Sequence, residues 1–273
     1  MTILDDIVAA TKRRLAKEQA ALPLEQLKQQ AYPDRPAFAF EQALREKDLS
    51  FICEVKRASP SKGLIAEDFP YRTIAKDYEE AGATAISVLT EPDFFQGHDA
   101  YLTEISRSVS IPILRKDFII DPYQIYQAKA IGADAILLIC AILTNEQLTD
   151  YITLATELGL SVLTEAHNQE EVQAAVAAGS RIVGVNNRQL HDFSVDFQNS
   201  ISLRQHAPAD IIFVAESGIQ TAADIDSLRA NKVDAVLIGE TICGQMTKKR
   251  KLKNLEAIKW LKLKFVGCKR KQI

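Results

Sequence analysis

The chain has 273 residues, enough for one large α/β domain, and its 47% hydrophobic and 25% charged residues exclude a disordered or collagen-like polymer. The formal net charge of −3 conceals an uneven spread, because residues 248–273 hold eleven Lys or Arg against a single Glu256, so the remaining acidic body is not expected to draw nucleic acid. Cys53, Cys140, Cys243 and Cys268 stand far apart with no paired spacing, which argues against a disulfide framework or zinc knuckle and for a reducing, cytoplasmic setting. The first ten residues carry Asp5 and Asp6 and no basic stretch ahead of an apolar run, unlike a secretory leader. No window approaches about 18 uncharged apolar residues, so no membrane span is expected.

In chain order, Ile3 to Leu49 reads as a helical extension, with Ile3, Ile7, Thr11 and Leu15 on one stripe and a break at Tyr32-Pro33. It is expected to pack on the body or to lie over its mouth. Eight short β-branched runs follow: 51–56, 85–90, 113–116, 135–139, 161–165, 182–186, 211–216 and 235–239. Apolar residues recur at helical spacing between them, as in Ile74, Tyr78 and Ala81 or Leu148, Ile152 and Ala155. Gly82, Gly132, Gly159 and Gly179 each sit between such a helix and the next strand, the place of a C-terminal helix cap. Strand and helix alternating eight times predict a (β/α)8 TIM barrel, an α/β fold. The rival, an open doubly wound sheet, lacks its Gly-rich fingerprint after the first strand, where the chain reads KRASPSKG. The expected layout is one barrel domain over 1–273: an extension at 1–49, a core at 50–247, and a basic closing helix and tail at 248–273. In that helix Leu255, Ile258, Leu261 and Phe265 share a face and the lysines are solvated.

In such a barrel the reacting groups stand at the C-terminal ends of the strands. Glu54 and Lys56, two apart, point to one side of the first strand; Lys116, Glu165, Asn186 and Glu216 end the third, fifth, sixth and seventh. Any one could be a solvated strand end, and the set could be a salt-bridge network sealing the barrel. Converging lysines and glutamates also suit acid and base chemistry, because buried charges need partners and partners split pKa values. Two ammonium groups close together are expected to lower one another's pKa, leaving one as an acid near neutrality. After the last two strands, Glu216-Ser217-Gly218 and Gly239-Glu240-Thr241 point backbone N–H groups at the mouth, the usual phosphate position of barrels. Phe94, Phe95 and Phe118 follow the second and third strands and fit either plain core or the wall of an aromatic site. His98, His167, His191 and His206 are scattered, and His167, though near the mouth, reads as a solvated loop residue. Neither a metal nor a cofactor is expected.

The stretches FICEVKRASPSKG, SVLTEPDFFQG, ILRKDFIIDPYQIYQA, LLICAIL, VLTEAHN, VGVNNRQL, VAESGI and LIGET, in this order, resemble the indole-3-glycerol phosphate synthases of tryptophan biosynthesis over about Ile3 to Thr241. The resemblance implies ring closure of 1-(2-carboxyphenylamino)-1-deoxyribulose 5-phosphate with loss of carbon dioxide and water. It also implies Lys116 as general acid, Lys56 on the substrate carboxylate, Glu165 as base for the dehydration, and Glu54 and Asn186 as orienting groups. Glu216 and Ser217 would meet sugar hydroxyls or phosphate, and Gly218, Gly239 and Glu240 the phosphate. Ser59 and Arg188 would hold the polar ends of the ligand; Phe95, Phe118, Leu138 and Pro60 would line an aromatic pocket. Members often carry an aromatic residue in the N-terminal segment near the substrate, but the first 31 residues here hold no Phe, Trp or Tyr, so that contact is unassigned. The chain is expected to act alone or as a weak homodimer, with no nucleic-acid or membrane partner. Two alternatives remain: another phosphate-binding barrel such as phosphoribosylanthranilate isomerase, which would use a Cys and an Asp at strand ends, and an anion-binding protein using the basic tail. Cys53, beside Glu54, is placed by strand parity on the face away from the mouth.

Overall fold

The computed structural model describes residues 2–30, 32, 34–65, 67–189 and 193–239. Glu240 and the basic segment 248–273, with its expected closing helix, lie outside them. Strand β1 (Ser50–Val55) is followed by a small antiparallel hairpin, β2 (Ala58–Ser59) and β3 (Gly63–Leu64). Then come β4 (Ala85–Leu89), β5 (Ile113–Lys116), β6 (Ala135–Ile139), β7 (Ser161–Ala166), β8 (Ile182–Asn186), β9 (Ile212–Glu216) and β10 (Ala235–Ile238). All but the hairpin pair in parallel and close on themselves, with β1 hydrogen-bonded to both β4 and β10. The closing register, from Ser50 opposite Ala235 to Cys53 opposite Ile238, rules out the open sheet.

Three helices precede the barrel: α1 (Ile3–Ala21), α2 (Leu24–Lys28) and α3 (Ala39–Arg45). In the connections lie α4 (Tyr71–Ala81), α5 (Pro92–Phe95), α6 (Asp99–Ser106), α7 (Pro122–Ile131), α8 (Asn145–Glu157), α9 (Gln169–Ala177), α10 (Gln198–Leu203) and α11 (Ala222–Ala230). Local chemistry starts and stops them. Thr144 with Gln147, and Thr221 with Asp224, form capping boxes for α8 and α11. Asp121 accepts from the Tyr123 N–H ahead of Pro122 to start α7. At the far ends of α4 and α7, Gly82 and Gly132 take φ of 87° and 95°, which a side chain would disfavour.

Strand parity divides the core in two. Cys53, Val55, Ile86, Val88, Ile136, Leu138, Val183, Val185 and Phe213 face outward beneath the helices, whereas Ile52, Leu114, Leu137, Ile139, Leu163, Val214 and Leu237 fill the barrel. Cys53 therefore points away from the mouth, as parity requires. Leu138 does too, which corrects its assignment to the pocket: Leu137 and Ile139 flank it on the interior face. The extension does two jobs. Phe40 and Leu44 of α3 pack, fully buried, on the barrel interior at its N-terminal end, where the Glu41 N–H donates to Ser161 Oγ and Ser50 Oγ donates to the Leu44 carbonyl. Helix α1 instead crosses the opposite end. It breaks at Leu22-Pro23, earlier than the expected Tyr32-Pro33, because Pro23 has no N–H to continue it.

Candidate active site

At the C-terminal ends of the strands a cavity of about 210 Å³ opens. Glu54, Lys56, Lys116, Glu165, Asn186 and Glu216 all line it. Lys116 Nζ stands 3.1 Å from Glu165 Oε2 and 3.3 Å from Glu216 Oε2, bridging β7 and β9 from the end of β5. Lys56 Nζ lies 2.6 Å from Glu54 Oε2. Asn186 donates from Nδ2 to Glu165 Oε1 at 3.3 Å, and its own Oδ1 accepts the Arg188 N–H at 3.0 Å, which fixes the amide's orientation. Room for the glutamates comes from glycine: a Cβ on Gly184 would meet Glu216 Oε1, and one on Gly239 would meet Glu54 Oε2.

Burial works against the charge on Lys116, but Glu165, Glu216 and Glu54 outweigh it and hold the ammonium well above the ordinary lysine range. For Lys116 this reverses the expectation that a neighbouring lysine would lower it, because its ammonium stands between two carboxylates. Burial also opposes ionisation of Glu165, yet Lys116 and His167 hold it below the ordinary carboxylate range. For Glu216 burial wins, reinforced by Glu165 and Glu54 against Lys116, and pushes the carboxyl up to about 7. Its buried Oε1 has no hydrogen-bond partner among the described residues. Beside the Lys56–Glu54 pair, the site thus sets Lys116 as a firm cation, Glu165 as a firm anion and Glu216 as a carboxyl poised between states.

His167 is not the solvated loop residue expected. Its imidazole is largely buried, with Nε2 3.6 Å from Glu165 Oε1 and Nδ1 3.4 Å from Glu171 Oε2. Burial disfavours its charge, but Glu171 and Glu165 prevail and raise its pKa. The imidazole sits behind Glu165, outside the cavity lining.

One wall of the cavity is apolar. Phe95 and Phe118 stand with ring centroids 6.0 Å apart, tilted by 35°, beside Pro60, Leu89, Leu137 and Ile139. Ile3 and Ile7 of α1 complete it, supplying the apolar cover that the first 31 residues could not offer as an aromatic ring. Their i, i+4 spacing on the predicted stripe was the available signal. At the other end lie Ser59, Arg188, Ser217, Gly218 and Gly239. Ser217 and Gly218 take φ of 67° and 79° in succession, held by Asn187, whose Nδ2 donates to the Ser217 carbonyl at 3.0 Å. Sequence reasoning missed Asp117, Phe193 and Val195, which also line the cavity; the last two belong to a connection whose path is set by the fold. Among the described residues no group of three His, Cys, Asp or Glu could hold a metal ion, and no helix is long and apolar enough to cross a membrane.

A closed (β/α)8 barrel with opposed Lys–Glu pairs at its C-terminal mouth, between an apolar slot and a glycine-rich rim, defines an acid–base enzyme for small substrates that are part aromatic and part anionic. Residues 4–255 match the family model described as indole-3-glycerol phosphate synthase, and the chain belongs to that family. The indole-3-glycerol phosphate synthase of Ruminiclostridium cellulolyticum is 58% identical over 88% of this chain and 93% of its own length. That of Lachnoclostridium phytofermentans is 50% identical over 94% and 99%. Among solved structures, a chain of the tryptophan synthase a2b2 complex from Pyrococcus furiosus superposes with TM-score 0.56 at 14% identity, over 80% of this chain and 97% of that one. A mandelate oxidase variant gives 0.61 at 15%, over 81% and 74%. At such identities these likenesses show the fold alone.

Proposed function

We propose that the chain closes the indole ring of 1-(2-carboxyphenylamino)-1-deoxyribulose 5-phosphate, releasing carbon dioxide and water to give indole-3-glycerol phosphate. The observation that carries this reading is the Lys116 ammonium held between Glu165 and Glu216 at the end of the apolar slot. The substrate's aromatic ring lies against the paired rings of Phe95 and Phe118, beside Pro60, with its carboxylate on Lys56, which Glu54 steadies. The ring carbon bearing that carboxylate attacks the ketone carbon while Lys116 gives its proton to the ketone oxygen. Carbon dioxide then leaves, and its bonding pair restores the aromatic ring; apolar walls favour this loss of charge. The hydroxyl departs as water on a proton from Lys56, freed of the carboxylate once carbon dioxide has left, and Glu165, kept ionised by its cations, takes the carbon-bound proton whose loss completes the indole.

Asn186 keeps Glu165 aimed, Glu216 and Ser217 meet the sugar hydroxyls, and the phosphate lies against the N–H groups of Gly218 and Gly239, with Ser59 and Arg188 beside it. The chain acts as a monomer or weak homodimer, and nothing in the reaction calls on nucleic acid or a membrane. Incubation with the carboxyphenylamino substrate is expected to give indole fluorescence; folded protein that gives none overturns the proposal. The isomerase alternative lacks the cysteine it would need at the mouth, because Cys53 is buried under the helices on the outer face of β1.

A further inference from the structure

The two rings of the apolar slot come from different connections, α5 after β4 and the turn after β5, so something must set their spacing. Phe95 closes α5, whose N–H groups are all held by one carboxylate: Glu91 Oε1 accepts from Asp93, and Oε2 accepts from Phe94 and Phe95 at 2.7 and 3.1 Å. Phe118 is held likewise, its N–H donating 2.8 Å to Asp117 Oδ1. Both carboxylates are buried, and one side chain joins them. Arg14 of α1 donates from Nη1 to Glu91 Oε1 at 3.3 Å and from Nη2 to Asp117 Oδ1 at 3.0 Å. The oxygen that Arg14 grips on Asp117 is therefore the one that fixes the Phe118 backbone.

We propose that Arg14 is a positioning residue that sets the Phe95–Phe118 slot by clamping the carboxylates of Glu91 and Asp117, and so tunes recognition of the substrate's aromatic end. A planar guanidinium suits the task, because its fork spans two acceptors at a fixed separation. The clamp is supported from behind: Glu18 lies 3.6 Å from Arg14 Nε, and Arg115 and the Thr90 hydroxyl hold the other oxygen of Asp117. Helix α1 does not depend on the clamp for docking. Leu15 packs with Leu27 and Tyr123, whose hydroxyl donates to the Leu22 carbonyl at 3.0 Å. The slot can therefore loosen with the helix still in place.

The inference rests on the ring-slot part of the proposed function, and the experiment separates the two. Arg14→Gln, Phe95→Ala and their double variant are compared for KM and kcat on the carboxyphenylamino substrate, with inhibition by inorganic phosphate as the control for the far end. Arg14→Gln is expected to raise KM about tenfold with kcat within about threefold and phosphate inhibition unchanged, and to lose most of that effect once Phe95 is gone. Arg14→Lys, which keeps the charge but not the two-pronged fork and leaves the Glu91 cap of α5 untouched, is expected to reproduce the KM rise and carries the test if Arg14→Gln does not fold. An Arg14→Gln effect of equal size with and without Phe95, or one shared equally by phosphate, overturns the role of Arg14. An unchanged KM in Phe95→Ala overturns the ring slot, and the inference with it.

Discussion

Lys116 and Glu165 are 3.1 Å apart, and each owes its state to the other: the lysine is held charged against burial by carboxylates, the glutamate is held ionised by cations. One thereby stands in the protonated state that a donor needs and the other in the ionised state that an acceptor needs, while the same pairing makes Lys116 a weaker acid and Glu165 a weaker base until substrate enters between them. Lys116→Met is expected to cut turnover by about 10² to 10⁴-fold, the usual worth of a general acid, while substrate affinity stays within about tenfold because the phosphate and aromatic contacts persist. Single-turnover rates with equilibrium binding measure both, and activity above a tenth of wild type removes Lys116 from that role. Glu165→Gln keeps the shape but cannot accept a proton, so turnover is expected to fall at least about 10²-fold at every pH. Near-normal rates across the pH range would leave Glu165 a merely structural partner of Lys116.

At the scale of elements, parity along β6 decides what each leucine does. Leu138 lies on the helix side and Leu137 on the barrel side, one residue and half a turn of the pleat apart. Leu138→Ala is expected to cost about 2–5 kcal/mol in urea unfolding with KM unchanged, since it empties core space away from the substrate. Leu137→Ala should move KM as well. A Leu138→Ala variant that changes KM with stability intact would reverse the parity assignment. The glycines of β8 and the end of β10 carry the complementary lesson, because a strand inside a barrel yields space to a charged neighbour only by having no side chain of its own.

At the scale of the whole molecule, the buried Glu216 links folding to pH. Its carboxyl titrates near the ordinary value of 4.5 when the chain is unfolded and at about 7 when folded. Between those values the folded state binds the extra proton, so this group's contribution to stability declines as pH rises from about 4.5 to 7 and is level above that. Glu216→Gln is expected to flatten that part of the curve, measured by urea unfolding at pH 5 and pH 8; an unchanged slope would mean that Glu216 is already ionised at pH 5. The rim makes a second prediction for the assembled barrel. Inorganic phosphate should compete with substrate in about the millimolar range, an isolated anion lacking the aromatic contacts. A ligand-bound structure with the substrate phosphate away from β9 and β10 would refute the rim assignment.

Most of this molecule can be read without coordinates, because two periodicities are written locally. Side chains alternate along a strand and recur every 3.6 residues on a helix, so the barrel strands and their order follow from the chain itself, and strand ends in such a barrel converge by geometry. That is why Glu54, Lys56, Lys116, Glu165, Asn186 and Glu216 could be placed around one mouth. Leu138 escaped because AILLI is apolar on both faces and carries no alternation to assign. His167 escaped because its partners come from β7 and α9 at once, and solvation depends on both. The pKa of Lys116 depends on how many carboxylates surround it, a count set by contacts with residues 49 and 100 positions away. Packing also sends Phe40 to the floor of the barrel and Ile3, Ile7 and Arg14 to its mouth, since a helical stripe specifies that a face is buried and leaves the burying partner to long-range contacts.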